Sequence, residues 1–393
     1  MVQRARVAVV KGEDATRMVA EAVGLVGGME KFVRNGSTVL IKPNLGFPPP
    51  EGRKACELTT EPAVVQALVG LAREAGAKRV LVGDGPIPGI SSRFMFKITG
   101  MAEAVAEAGG EVRHFDEEPY GSRAVPGGTV LKEANLPRAV HEADVIINAA
   151  KMKTHPLNKV TLGFKNLVGL PPKEERSAWH RMPAFAYYLA DLAKCVKPAL
   201  TVIDGIVAME GRGPVVGERV DMGVVVCGAE MLSVETVASV LMGFDPAEIP
   251  SIAVAAKESP ASANLETIEV AGVPTERARR FFRRAVAGIV HPAENVAVYP
   301  GGACFGCELW IDRTPPPFDV RPDRKYAVLV GETPKLPPDG PIADEVWLLG
   351  NCAIRLKNRA QRLAPKTVLI KGCPPHAWFF ENVIPRLWKL PQG

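Results

Sequence analysis

Short apolar runs separated by stretches of helical length recur along most of this chain, and that alternation leaves few folds open. The runs are RVAVV (6–10), STVLIKPN (37–44), KRVLVGDGP (78–86), EVRHF (111–115), ADVIINAAKMKTH (143–155), ALTVIDG (199–205) and VDMGVVVCG (220–228). Helical periodicity fills 15–33, 60–77, 100–109, 183–195 and 231–242, and Glu61-Pro62 opens the second of these as a helix start. Runs that are apolar at consecutive positions suit strands buried on both faces, and strands alternating with helices build βα units. The expected fold class is α/β, a mainly parallel sheet with flanking helices. A chain of 393 residues exceeds one compact core. We expect an α/β domain over 1–290 and a smaller α/β unit over 291–393. Aromatic residues make up only 6% of the chain while hydrophobic residues make up 47%, so Val, Ala, Leu and Ile fill the core.

The smaller unit is expected to carry strands VAVY (296–299), YAVLVG (326–331), VWLLG (346–350) and TVLIKG (367–372), a helix over 352–363 and a last helix near 377–388. Residues 313–325 and 333–342, rich in Pro and charge, read as loops. Four of the seven cysteines fall here, directly after strands: Cys304 and Cys307 in CFGC, Cys352 in LLGNC, and Cys373 in KGCPPH. If those strands are parallel neighbours, their carboxyl ends bring the four thiols to one place. A CxxC turn supplies two thiolates, and two single cysteines complete a four-sulfur shell. Zinc sites more often pair two CxxC turns, whereas one CxxC with distant single cysteines is common around [4Fe–4S] clusters. The Gly-Cys-Pro-Pro segment is also similar to the cluster-ligand segment in the small subunits of hydrogenases and quinone oxidoreductases. The first reading is therefore a [4Fe–4S] cluster, the second zinc and the third ordinary buried thiols. Arg355, Lys357, Arg359 and Arg362 follow Cys352, either as cations that dock an acidic electron donor or as a solvated helix face. Trp310, Trp347, Trp378 and His376 lie near the cysteines in sequence, where they exclude water or fill core.

Bulk properties exclude several classes. Net charge is +5, with no Lys/Arg tail and no basic ribbon studded with aromatics, so no nucleic-acid partner is expected. The beginning MVQRARVAVVKGED passes into a strand without the apolar core of a signal peptide, and no run of about 20 apolar residues would span a membrane. We expect a cytoplasmic protein without a membrane partner. In that compartment a cysteine cluster reads as metal-binding or catalytic rather than as disulfides.

Polar residues of the larger part gather where strands end: Lys42 and Asn44, Asp84, then Lys151, Lys153, Thr154 and His155, and Asp204. Open α/β sheets place ligands outside those ends. Singly, each of these residues is equally well a helix cap or a solvated side chain. Between 151 and 181, Lys151, Lys153, Lys159, Lys165, Lys173, Arg176 and Arg181 oppose only Glu174 and Glu175. Such a local excess of positive charge attracts a carboxylate, a phosphate or an acidic partner; a basic loop docked on acidic helices is the plainer reading. His155 and His180 bracket the stretch, and His suits proton transfer near neutral pH. A Lys held among other cations also loses its proton readily. The loop 204–217 carries Gly211 and Gly213, whose backbone can approach a ligand or simply make a tight turn. Neither the dinucleotide fingerprint nor the P-loop pattern occurs in its required setting.

IKPN (41–44), LTTEP (58–62), VGDGP (82–86), KMKTH (151–155), FKNLVG (164–169), His180 and DGIVAMEGRGP (204–214) together resemble the family called domain of unknown function 362. The resemblance spans roughly 5–255. Many members look like iron–sulfur proteins, through ferredoxin-type modules or carboxy-terminal cysteines. This chain lacks the compact C-x-x-C-x-x-C run, so its cluster would use the dispersed cysteines. Where the resemblance implies aspartates, GAEMLSVET (228–236) has Glu230 and Glu235, which leaves a metal role for that loop open.

The resulting expectation is an iron–sulfur redox enzyme moving electrons to or from an anionic small molecule. Lys151, Lys153, His155 and His180 would be catalytic. Lys42, Asn44, Asp84, Thr154, Lys165, Asn166, Asp204, Gly211 and Gly213 would bind substrate. Cys304, Cys307, Cys352 and Cys373 would hold the cluster. The alternatives are an electron carrier or scaffold docking an acidic partner, and a zinc-stabilised hydrolase or transferase. A protein redox partner and a homo-oligomer fit either of the first two.

Overall fold

A computed structural model describes residues 4–49, 53–87, 90–180, 182–215, 217–285, 294–303, 307, 320–336 and 340–373. The chain divides into two compact units, Met1–Val286 and Ala287–Gly393.

Eleven strands belong to the first unit: β1 (Arg6–Lys11), β2 (Thr38–Lys42), β3 (Arg79–Asp84), β4 (Glu111–His114), β5 (Tyr120–Ala124), β6 (Glu133–Pro137), β7 (Val145–His155), β8 (Lys159–Thr161), β9 (Leu200–Glu210), β10 (Glu218–Gly228) and β11 (Glu269–Gly272). Nine of them form one sheet in the order β11-β1-β10-β9-β7-β2-β3-β4, with β8 paired to β7, while β5 and β6 make a separate hairpin. Pairing is parallel between β2 and β3, β2 and β7, β3 and β4, β7 and β9, and β1 and β11. β10 runs antiparallel to both β1 and β9. The sheet is therefore mostly parallel, as expected, with an antiparallel insertion.

Burial on both faces explains the consecutive apolar residues. Along β1, β2 and β3, Val7, Val9, Leu40 and Leu81 enter one core, whereas Ala8, Val10, Val39, Ile41, Val80 and Val82 enter the other. Helices cover both faces. Helix Ala15–Leu25 starts on Asp14, whose carboxylate accepts from the Arg17 amide (3.1 Å), and helix Pro62–Glu74 carries Pro at its first turn.

The helix expected over 15–33 ends at Leu25, because Gly27 and Gly28 turn the chain at φ 112° and 82°. The segment read as a loop after Asp204 is strand as far as Glu210, since β9 continues in pairing with β10. The β5–β6 hairpin was not expected; YGSRA and EANLP lack apolar runs because this pair lies outside the main sheet.

The second unit carries β12 (Val296–Pro300), β13 (Tyr326–Val330), β14 (Glu345–Leu349) and β15 (Lys366–Ile370), parallel throughout and adjacent in that order. The helix expected over 352–363 is two short ones, Gly350–Ile354 and Lys357–Ala360. The expected helix near 377–388, with Trp310, His376 and Trp378, lies outside the described residues.

Candidate functional site

β2 and β3 end at Lys42 and Asp84, while β7 and β9 run on past them, so residues from four strands meet at one rim of the sheet. Lys42 Nζ donates to Asp84 Oδ1 at 2.6 Å, with both side chains nearly inaccessible. Asp84 also accepts from the amides of Leu45 (2.6 Å) and Gly85 (2.9 Å). Its charge is thus held by three donors, which a buried carboxylate requires. Burial pushes the Lys42 pKa down, and Asp84 works against that shift. Asn166 extends the network: Nδ2 donates to Asn148 Oδ1 (2.8 Å) and to the Lys42 carbonyl (3.1 Å), and Oδ1 accepts from Asn44 Nδ2 (3.1 Å). Lys153 donates to Asn44 Oδ1 (3.0 Å) and the Leu58 carbonyl (2.6 Å). Lys42, Asn44, Asp84, Lys153 and Asn166 therefore form one hydrogen-bonded cluster, although they are far apart in sequence.

Lys151 and Asp204 sit opposite each other on β7 and β9 as a fully buried pair (2.7 Å). Asp204 also accepts from the Glu61 amide (2.8 Å), fixing the start of helix Pro62–Glu74, and from the Ile206 amide (3.1 Å). With both oxygens engaged, this pair anchors β9 to the helix. Thr154 Oγ1 donates to the Gly211 carbonyl (3.0 Å), and a Cβ at Gly213 would stand 2.6 Å from that hydroxyl. Gly211 (φ 67°) and Gly213 thus close a turn onto β7. His155 is 4% exposed and its Nδ1 accepts from the Leu157 (3.1 Å) and Asn158 (3.3 Å) amides, so its proton sits on Nε2. His180 Nδ1 donates to the Arg176 carbonyl (2.6 Å), and its ring tilts against Phe185 (4.6 Å between centroids).

Beside Lys165, which was expected to bind substrate, the rim holds Arg176, Gly85, Gly169 and Asn148, which were not among the expected site residues. Arg176, in helix Lys173–Trp179, is 6% exposed; its NH1 donates to the carbonyls of Gly85 and Gly169, and its Nε has no partner among the described residues. Lys165, partly exposed by surface area but densely surrounded, has its pKa lowered to about 7 by burial, then by Lys42 and Arg176. Gly85 and Gly169 let backbone approach the charges, for a Cβ at Gly169 would collide with Asp84 Oδ1 and lie 2.8 Å from Lys42 Nζ. Asn148, a polar residue inside the run VIINAA, bridges toward Gly163, whose carbonyl accepts from Nδ2 (3.0 Å). Glu235 Oε1 accepts from the amides of Gly163 and Phe164, while Oε2 has no partner among the described residues. Burial raises the Glu235 pKa to about 8. Glu230 caps helix Met231–Leu241 by accepting from the Leu232 (3.1 Å) and Ser233 (2.6 Å) amides. Polar residues in otherwise apolar runs are the signal that could have found Asn148 and Glu235.

In the second unit, Cys307 is buried, Cys352 half-buried and Cys373 exposed; Cys304 lies outside the described residues. Cys352 and Cys373 follow the neighbouring parallel strands β14 and β15. The Asn351 amide donates to the Gly372 carbonyl (2.8 Å), and Asn351 Oδ1 accepts from the Gly372 amide (2.9 Å). A Cβ at Gly350 (φ 88°) would stand 2.8 Å from Cys307 Sγ. Cys307 Sγ and the residues beside Cys352 and Cys373 thus lie close together beyond the carboxyl ends of β14 and β15, and cysteine thiolates are ligands that suit an iron–sulfur cluster or zinc. Among the described residues, no three His, Cys, Asp or Glu side chains form a group that would hold a metal ion. No helix among them is long and apolar enough to cross a membrane.

A mostly parallel α/β sheet with a buried cluster of Lys, Asp and Asn at its strand ends defines the class of this protein. The chain belongs to the family described as Domain of unknown function (DUF362), which matches residues 39–239. It is 33% identical over 233 residues to the thylakoid-associated protein sll1697 of Synechocystis, covering 58% of this chain and 70% of that one. Among solved structures it is similar to the lactate racemase apoprotein from Thermoanaerobacterium thermosaccharolyticum (TM-score 0.39, 14% identity, 59% of this chain and 57% of that one). It is also similar to a protein from Thermotoga maritima (TM-score 0.33, 14% identity, 54% and 55%). The chain spans less than two thirds of the length of either solved structure.

Proposed function

We propose that this chain is an iron–sulfur redox enzyme. Cys304, Cys307, Cys352 and Cys373 hold a [4Fe–4S] cluster, and the strand-end site of the first unit binds a small anionic substrate. The observation that carries the reading is Arg176, 6% exposed beside the Lys42–Asp84 pair, with Nε unpartnered and no carboxylate within ion-pair distance among the described residues. A protein keeps uncompensated buried cations at a cost of several kcal/mol, which an anionic ligand offsets. When bound, a cluster with four thiolate ligands supplies single electrons. Asn44 and Asn166 hold Lys42 and Lys153 in place and orient the substrate. Lys165, with its pKa near 7, exchanges a proton at the site more readily than His155, whose Nδ1 is tied to two backbone amides. The parallel strand ends beside Cys352 and Cys373, and the glycine that admits Cys307 Sγ, support the ligand set.

Anaerobic purification tests this directly. The expected product is brown, with about four iron and four sulfide per chain, and it bleaches on reduction. Replacement Cys352→Ser should lower the iron content. A colourless protein with one zinc would discard the cluster, and undiminished iron in the variant would remove Cys352 from the ligands.

A further inference from the structure

Charge is unbalanced at one corner of the rim. Asp84 accepts on both oxygens, from Lys42 and Gly85 on Oδ1 and from Leu45 on Oδ2, so its carboxylate is committed to the Lys42 pair. Among the described residues, Arg176 has no carboxylate within ion-pair distance and leaves Nε without a partner although the residue is 6% exposed. The other groups in its field are Tyr120, Asp116 and Glu174. Asp116 accepts from the Ser92 amide (3.1 Å), and the Glu174 side chain is 72% exposed and pairs loosely with Lys173 (3.8 Å). Lys165 Nζ stands over the Phe185 ring, 5.8 Å from its centroid, and makes no hydrogen bond among the described residues. Lys42, Lys165 and Arg176 therefore share one carboxylate: one positive charge is uncompensated while Lys165 is neutral, and two once it is protonated. A dianion balances that corner, whereas a single carboxylate does not.

We propose that Lys165 and Arg176, backed by Lys42, form a subsite for a dianionic tetrahedral oxyanion, so that the substrate class is a small molecule carrying a phosphate ester. The inference rests on the reading that the strand-end site binds an anion, and it adds the residues and the charge of the ligand. Arg176 offers a planar fork suited to two oxygens, with Nε still unspent. The phenol of Tyr120, held in its protonated form by burial, lies in the field of Arg176 as a further hydroxyl donor. Neutral Lys165 takes up a proton as the dianion arrives, so binding strengthens as pH falls. The charged groups facing Lys165 are Lys42, Asp84 and Arg176, and His180 shares the Phe185 ring with it.

Sulfate is the suitable probe, because it stays dianionic from pH 6 to pH 8. Calorimetry on the full chain should show saturable sulfate binding, up to about tenfold tighter at pH 6 than at pH 8. Lys165→Gln, a change at a partly exposed side chain, should weaken binding at pH 6 by about tenfold or more and abolish the pH dependence attributable to that residue. Arg176→Lys, which keeps the charge and loses the fork, should also weaken it. Acetate should compete far less well than sulfate. Unchanged sulfate affinity in a folded Lys165→Gln protein would overturn the proposal, and so would acetate competing as well as sulfate. Sulfate binding that persists in iron-depleted Cys352→Ser protein supports the subsite even if the cluster reading fails. Iron-replete protein that binds no sulfate overturns the subsite and leaves the cluster reading standing.

Discussion

Glu235 is fully buried in the middle of helix Met231–Leu241, with one oxygen serving two amides and the other lacking a partner. Its pKa, raised to about 8, means that the folded protein holds a proton there which the unfolded chain releases above the ordinary carboxylate range. The folded state therefore binds more protons between those two values, and stability falls as pH rises through that window, by about 1.4 kcal/mol per pH unit at most. Glu235→Gln is neutral at every pH and keeps an oxygen for the Gly163 and Phe164 amides. Urea unfolding should find the variant close to the wild type near pH 4.5 and more stable than it at pH 8. A variant less stable than the wild type at both pH values would show that ionised Glu235 is needed. The sequence marked Glu235 only as a residue whose metal role stayed open; its neighbours in space reveal that it receives the Gly163 and Phe164 amides.

Among elements, the segment Gly163–Gly169 does most to assemble the rim, because it carries Lys165 and Asn166 and lays its own backbone against the Lys42–Asp84 pair. Gly169 is where that approach is closest. Gly169→Ala would push a methyl group into Asp84 Oδ1 and against Lys42 Nζ, and overpacking of this kind costs about 1–3 kcal/mol. Denaturant titration should register that loss, together with weaker sulfate binding as the pair shifts. Undisturbed stability and binding would mean that the turn yields freely. The strands feeding the rim were legible because β2, β3 and β7 are apolar on both faces and each ends in polar residues. The pairings within the network were not legible, since Lys42 reaches Asn166 across 124 positions and nothing in the basic stretch 151–181 sets Arg176 apart from its neighbours. The continuation of β9 past Asp204 was hidden for a similar reason: glycine and charge suggested a loop, whereas pairing with β10 holds the strand as far as Glu210.

At the scale of the molecule, each unit fills its core from its own strands. The first unit draws on residues between Val7 and Phe282, and the second on residues between Val296 and Ile370. The division into a larger and a smaller α/β part followed from chain length and from the second series of apolar runs. That β14 and β15, the strands before Cys352 and Cys373, are parallel neighbours depends on strand order, which no single run encodes. Separate cores make a separable prediction. Leu329 on β13 is inaccessible and packs with Val346, Leu348 and Ala353, so Leu329→Ala opens a cavity at a cost of about 2–5 kcal/mol. That loss should fall on the unit that carries the cysteines. We expect reduced iron after anaerobic purification and a weakened unfolding transition reported by Trp347 fluorescence. Sulfate affinity should stay at the wild-type value, because the residues of the rim belong to the other core. Parallel loss of iron and sulfate binding in Leu329→Ala would mean that the two cores fold as one cooperative body and that the anion site depends on both.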